Sequence, residues 1–192
     1  RTTFLALSDK AVNWAAQFGE NELYLARLRQ AKNITFRTQG DLALEKLNAI
    51  LRMRITNVQK AETYLLIGKV YEQNSRMNDA IAANEQAVRL GISGEILNRT
   101  QFDLGRMYWK QRNFAGAART FLAYRDRFSS GGADRAKGTF WLARAYVKLN
   151  RQADATTLLL EAKAMDKYGY YGMVSARELK SGITAQDLFS NA

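Results

Sequence analysis

The chain has 192 residues, with 29 basic against 18 acidic side chains and a formal net charge of +11, and it contains no His, no Cys and no Pro. Without His or Cys it can build no Ser-His-Asp or Cys-His nucleophile, no structural zinc site, no haem His ligand and no disulfide framework; only carboxylate chemistry stays open. Average usage would give roughly ten prolines, and Pro breaks helix interiors, so their absence fits helices joined by short turns.

The chain opens on Arg1, not Met, and reads as a piece of a longer product, so a missing signal peptide says nothing about compartment. No apolar run approaches the ~18 residues of a membrane span; Thr157-Leu158-Leu159-Leu160 is typical of the longest. Periodicity predicts helices over 3–18, 21–37, 41–55, 60–74, 78–90, 95–112, 114–128, 133–149, 152–165 and 170–180, with a short terminal helix over 184–190. Turn signals fall at Gly40, Asn74-Ser75, Arg112-Asn113 and Asn150-Arg151, and Ser129-Ser130-Gly131-Gly132 is a loop too short to be a domain linker. Asp79, Asp154 and Asp187 lie near helix starts, where negative charge suits the dipole. No segment shows sustained period-two alternation, so no sheet is expected.

A repeat runs through these helices. Tyr71, Tyr108 and Tyr146 are each followed nine residues later by Ala80, Ala117 and Ala155, and preceded three residues earlier by Gly68, Gly105 and Ala143. Ile67, Leu104 and Leu142 stand just before the small residue, and Asn84, Phe121 and Leu159 stand four after the Ala. A weaker early copy has Ala31, Ile34, Ala43 and Leu47, and successive copies are offset by 37, 37 and 38 residues. Small residues in the first helix of each unit permit a close approach, and the Tyr, Ala and apolar positions fill the interface. Stacked hairpins of this kind make an all-α solenoid. It is predicted as one domain over 1–192: an N-terminal half-repeat or cap over 1–20, repeats over 21–57, 58–94, 95–132 and 133–168, and a C-terminal capping helix region over 169–192.

The skeleton resembles the tetratricopeptide repeat, W-x2-L-G-x2-Y…A-x3-F, best at Tyr64-x2-Ile67-Gly68-x2-Tyr71 with Ala80. Its period exceeds 34 and the closing Pro is missing from every copy, so the repeats are degenerate. A narrower stretch, Phe140-Trp141-Leu142-Ala143-Arg144-Ala145-Tyr146 followed by Tyr170-Tyr171-Gly172 and Ser175-Ala176-Arg177-Glu178-Leu179, resembles the end of the superhelical domain of bacterial soluble lytic transglycosylases. That resemblance implies a periplasmic, peptidoglycan-processing setting and an arc of helices beside a lysozyme-like module. The family's catalytic Glu is followed by Ser, and no Glu-Ser dipeptide occurs here. No catalytic residue is identified, and no metal or cofactor is expected.

The surplus of charge is uneven: residues 1–96 carry a net +3 and residues 97–192 a net +8. Each small repeat residue is followed by a basic one, giving Lys32, Lys69, Arg106 and Arg144, with Arg177 after Ala176. Equivalent positions in stacked hairpins lie side by side, so these five predict a basic stripe, extended by Arg99, Lys110, Lys137 and Lys148 and by aromatic surface from Phe102, Trp109, Phe140 and Trp141. Tetratricopeptide resemblance implies that the first helix of each hairpin lines the concave face. Arg forks suit carboxylates, so the stripe would take an acidic peptide, a carboxylate-bearing glycan peptide or an acidic partner domain; otherwise it is solvated or paired to neighbouring acids. Nucleic acid is disfavoured, because the basic excess is spread along the repeats with no recognition helix and no basic tail. Glu20 with Glu22, and Glu85 with Glu95, have no neighbour that would shift a carboxylate and read as turn or capping residues. The sequence therefore predicts a non-catalytic scaffold accompanying a lytic transglycosylase module, or else a free-standing adaptor for an acidic peptide or partner protein.

Overall fold

The computed structural model describes residues 2–36, 40–91, 93–128 and 131–180, excepting the side chains of Thr2, Thr3 and Phe36. They form α1 (Thr2–Ala15), a 3-10 turn (Ala16–Phe18), α2 (Glu20–Phe36), α3 (Gly40–Leu51), α4 (Asn57–Gln73), α5 (Met77–Arg89), α6 (Gly94–Lys110), α7 (Phe114–Arg125), α8 (Ala133–Lys148), α9 (Gln152–Met165) and α10 (Tyr170–Lys180). Among the described residues there is no strand, and no helix is long and apolar enough to cross a membrane. The chain divides into two compact units, Arg1–Ser93 and Gly94–Ala192. The first holds α1 and the hairpins α2/α3 and α4/α5; the second holds α6/α7 and α8/α9, with α10 packed on α9 and α8. The expected helix over 184–190, the dipole position Asp187 and the loop residues Ser129 and Ser130 lie outside the described residues.

Helix ends differ from the periodicity by up to four residues: the helices expected over 3–18 and 114–128 end at Ala15 and Arg125, and the gap between α3 and α4 is shifted. The helix expected over 41–55 ends at Leu51, and the one expected from 60 starts at Asn57. The reason is Thr56. Its hydroxyl accepts from the Gln59 backbone N–H at 3.2 Å, while its own N–H donates to Gln59 Oε1 at 2.9 Å. This reciprocal capping box satisfies two orphan donors and starts α4 there.

The repeat skeleton is the interior of the hairpins. Ala31, Ile34, Ala43 and Leu47 are fully buried in the first unit, as are Phe121, Ala143 and Leu159 in the second. In each hairpin the small residue of the first helix meets the residue sixteen positions later. A Cβ on Gly68 would run into the Asn84 amide, and one on Gly105 would lie 2.5 and 2.8 Å from Phe121 Cε1 and Cδ1. Ala143 and Leu159, the corresponding residues of α8 and α9, are both fully buried where those helices pack. Asn84 is a polar version of this filler: its buried Nδ2 donates to the Ala80 carbonyl at 2.8 Å.

The hairpin turns repeat as closely as the seams. Ser75, Arg112 and Asn150 adopt φ of 58, 58 and 59°, the left-handed region. The next residue's N–H then reaches back to the repeat Tyr carbonyl: Arg76 to Tyr71 at 2.9 Å, Asn113 to Tyr108 at 3.0 Å, Arg151 to Tyr146 at 2.9 Å. These are Schellman closures, which satisfy the orphan carbonyls at a helix end. In two of them the same Arg adds a staple. Arg76 sits 4.5 Å over Tyr71 and donates to Asp79 at 2.7 Å; Arg151 sits 3.9 Å over Tyr146 and donates to Asp154 at 2.7 Å. Asn113 replaces it in the third, capping the Gly116 N–H at 2.9 Å.

Two outcomes test this register. Gly105→Ala should destabilise the second unit by about 1–3 kcal/mol, less the ~1 kcal/mol of helix propensity that Ala recovers. Urea denaturation should show this loss shrinking when Phe121→Leu is combined with it. Ser75→Gly should stabilise by roughly 0.5–1 kcal/mol by relieving a strained Cβ, whereas Asn150→Gly should change little, because Asn tolerates this conformation.

Candidate functional site

The second unit gathers its basic and aromatic side chains on α8 and the helices beside it. Ala143 is buried against α9, which turns residues 137, 141, 144 and 148, at i, i+4, i+7 and i+11, onto another face of α8. Trp141 is half-buried at the centre of this face. Its ring lies 5.7 Å from Trp109, 6.2 Å from Phe102, 5.7 Å from Phe121 and 6.1 Å from Phe140. Tyr171 of α10 closes one side, 5.7 Å from Phe140.

Arg144 is set in this aromatic frame. Its guanidinium carbon stands 5.1 Å from Trp141, 5.3 Å from Trp109 and 5.8 Å from Phe140. Its Nε is buried and has no hydrogen-bond acceptor among the described residues. Each cation–π contact contributes about 0.5–2 kcal/mol, enough to hold an Arg without an ion pair. Lys137 lies 3.7 Å above Phe102 and 5.6 Å from Tyr124, and Lys148 lies 5.8 Å from Phe114.

The local field is positive. Lys148 has its pKa lowered by burial first and then by the charges of Arg112 and Arg144. Three cations thus lie within electrostatic reach of one another at the C-terminal end of α8. The acids nearby are tied elsewhere or held back. Tyr124 donates to Asp134 at 2.9 Å, and burial together with that acceptor raises the phenol well above its usual range. Glu178 of α10 is pushed up by burial, while Arg144 and Arg177 pull it the other way.

The predicted site residues divide accordingly. Lys137, Arg144 and Lys148 share a face of α8 with Trp141, and Trp109 of α6 joins them. Phe102 and Phe140 are buried, so they do not supply the aromatic surface expected of them; they form the floor on which the tryptophans and Lys137 rest. Their side of each helix is fixed by the seam, which counting aromatics does not reveal. Arg106 and Arg99 both turn to Asp103, at 3.4 and 4.0 Å. Lys110 and Arg177 are exposed, at the end of α6 and on α10. Lys32 and Lys69 are exposed residues of the first unit. Arg112 and Glu178 join the site although sequence reasoning read them as a turn residue and as part of a motif. The available signal was the i, i+4, i+7, i+11 spacing of 137, 141, 144 and 148. The carboxylates Glu20, Glu22 and Glu95 sit in the first turns of α2 and α6, where the helix dipole accounts for them.

The lytic transglycosylase-like motif has a local structural account. The Asp166 side chain accepts from the Tyr171 N–H at 3.2 Å, and any Cβ on Gly172 would strike the Asp166 carbonyl, so Tyr171 and Gly172 set the α9–α10 joint.

Comparison with known proteins agrees with this architecture. The tetratricopeptide repeat family model matches residues 102–170. No curated protein matches the sequence. Among solved structures, BtubC (BKLC) from P. vanneervenii aligns with a TM-score of 0.63 at 15% identity, covering 92% of this chain and 77% of that one. A putative kinesin light chain of Podosopora anserina with nearly identical TPR-like repeats aligns at 0.60 and 18%, covering 81% and 83%. YrrB, described as a TPR protein with an unusual peptide-binding site, aligns at 0.59 and 13%, covering 91% and 86%. The fold is that of the tetratricopeptide-repeat solenoids.

Glu178 gives a pH test. A carboxyl raised in the folded state favours folding fully below its unfolded pKa and loses that contribution as pH rises through the folded value. The stability advantage of Glu178→Gln over the parent chain should therefore be absent near pH 4 and grow toward pH 7, as measured by urea midpoints across that range.

Proposed function

We propose that this chain is a tetratricopeptide-type interaction module whose second unit grips an acidic peptide segment, with Arg144 as the carboxylate fork. The observation that carries this reading is the caging of the Arg144 guanidinium by Trp109, Phe140 and Trp141, with a buried Nε that has no hydrogen-bond acceptor among the described residues. A guanidinium presents paired donors that match a carboxylate, and such a pair strengthens where aromatic walls exclude water. Lys148 and Arg112 favour a second acid nearby, because they already oppose one another's charge. An apolar side chain next to the acid would lie against Trp109 and Trp141. Fold likeness adds that a solenoid of this kind, YrrB, is described as having a peptide-binding site.

A second reading places the same chemistry in the bacterial periplasm, as a scaffold beside a lytic transglycosylase module. The stem peptides of peptidoglycan carry carboxylates, and the motif over 139–180 supplies the resemblance. Its specific support is that Trp141, Arg144, Tyr171 and Arg177, all within that motif, stand on the facing helices α8 and α10. Sedimentation with isolated peptidoglycan at low salt separates the two readings: retention that Arg144→Ala abolishes favours the glycan peptide, and no retention favours a protein partner.

The direct test uses Trp fluorescence with a short Trp-free peptide of alternating Glu and Leu, against its Gln counterpart. The Glu peptide should quench or shift the Trp109 and Trp141 emission, and Arg144→Ala should weaken it at least ten-fold. Glu178→Gln should tighten it, since an internal competitor for the Arg144 field is removed. Equal affinity of parent and Arg144→Ala chains would refute the reading.

A further inference from the structure

The first unit carries a second surface that the peptide site does not use. α1 packs on α2 through Phe4, Leu5 and Ala15, and the Gln30 amide ties Ser8 and Asp9 to α2 at 2.9 and 2.8 Å. Beside that covered face runs a second apolar stripe, Leu7, Ala11 and Trp14, at i, i+4 and i+7 of α1, which Phe18 of the following 3-10 turn extends. Leu7, Trp14 and Phe18 are 62, 63 and 58% exposed, and Ala11 is also exposed. The two rings are already in contact, with centroids 4.5 Å apart. Between Phe4 and Phe18 the only charged residues are Asp9 and Lys10, and neither lies on the stripe. A helix apolar over two faces is normally covered on both, and contiguous exposed patches of this kind mark association surfaces.

We infer that the α1 stripe is a self-association surface, which pairs antiparallel with α1 of a second copy of this chain. The size order along the stripe selects this occupant. Leu7, Ala11 and Trp14 are spaced as the a and d sites of a short coiled-coil seam, and Phe18 packs on Trp14 at its end. In an antiparallel pair with Ala11 opposite the partner's Trp14, Leu7 points toward the end of the partner's α1, where the following turn carries Phe18. The central layers then set the smallest side chain against the largest, twice, by two-fold symmetry. Asp9 and Lys10 lie off the stripe, so no like charges meet on it. A single patch that fits its own inverted copy is what an isologous two-fold interface requires. Burying the exposed parts of these side chains removes about 800–1,000 Å² in total, below the ~1,200 Å² of stable interfaces and in the range of transient ones, so the dimer is expected to be weak and reversible.

Sedimentation velocity of the full chain up to about 200 μM tests this, a range that reports a dissociation constant on the order of 10 μM. The expected result is a reversible monomer–dimer equilibrium. Trp14→Glu and Leu7→Glu should each weaken it at least ten-fold, with the helical circular dichroism unchanged. Leu160→Glu, at an exposed leucine of the second unit, should leave it intact. Mixing the Ala11→Lys and Trp14→Glu chains should restore a heterodimer, because the antiparallel register sets Lys opposite Glu. A chain that stays monomeric throughout this range, or a dimer that Trp14→Glu does not weaken, would overturn the inference.

Discussion

Each hairpin depends on one close approach. A Gly or Ala in the first helix lets the buried residue sixteen positions later lie across its backbone, as Phe121 does over Gly105. At Gly68 and Gly105 the steric margin is less than a methyl group, so the contact fixes the rotation of those helices as well as their distance. That rotation has a consequence on the far side. In a helix the residue after the small one is turned by about 100° away from the seam. The small–basic pairs of the sequence are therefore a readout of helix rotation: burying Ala143 against α9 places Arg144 among the tryptophans. Packing in the core and the direction of the site's cation are one constraint seen from two sides.

Arg144 shows how a fold can hold a charge without neutralising it. Three aromatic faces compensate part of its dehydration, yet none of them accepts a hydrogen bond from the guanidinium. Arg112 and Lys148 add to the positive field, and the carboxylate that opposes it, Glu178, is itself penalised by burial. Arg106 makes the contrast clear. It occupies the same repeat position but swings to Asp103 of its own helix, an exposed pair worth about 0–1 kcal/mol, and it has no cage. Five equivalent positions in sequence thus differ in environment. Trp109 and Trp141 flank the fourth, Arg144, and set it apart from Arg106.

The helical hairpins were legible because their signal is local and repeated. Gly68, Gly105 and Ala143 recur with Asn84, Phe121 and Leu159 at constant spacing, and such recurrence marks stacked interfaces before any coordinate is known. The turn signals at Asn74-Ser75, Arg112-Asn113 and Asn150-Arg151 coincide with the left-handed residues Ser75, Arg112 and Asn150. The start of α4 was missed because a capping box acts through two side chains, Thr56 and Gln59, that periodicity does not weigh. The site was half legible. Lys137, Trp141, Arg144 and Lys148 were singled out by residue type, but Phe102 and Phe140 turn inward, and only the facing helices decide that. Glu178 entered for the same reason: its burial depends on how α10 meets α8. The open stripe of α1 was invisible as well, since Leu7 and Trp14 look like core anchors until α2 is seen to cover the neighbouring face.

The central claim concerns one guanidinium, and the Nε–H resonance of Arg144 reports on it directly. It is identified by its loss in Arg144→Lys and followed by ¹H–¹⁵N correlation during titration with the alternating Glu and Leu peptide. A carboxylate seated on the Nη groups should shift this signal through the guanidinium's charge distribution and saturate with the tryptophan indole signals, while the Gln peptide leaves it in place. If the Arg144 signal stays fixed while the Glu peptide shifts resonances elsewhere, the carboxylate binds somewhere else and the account is contradicted.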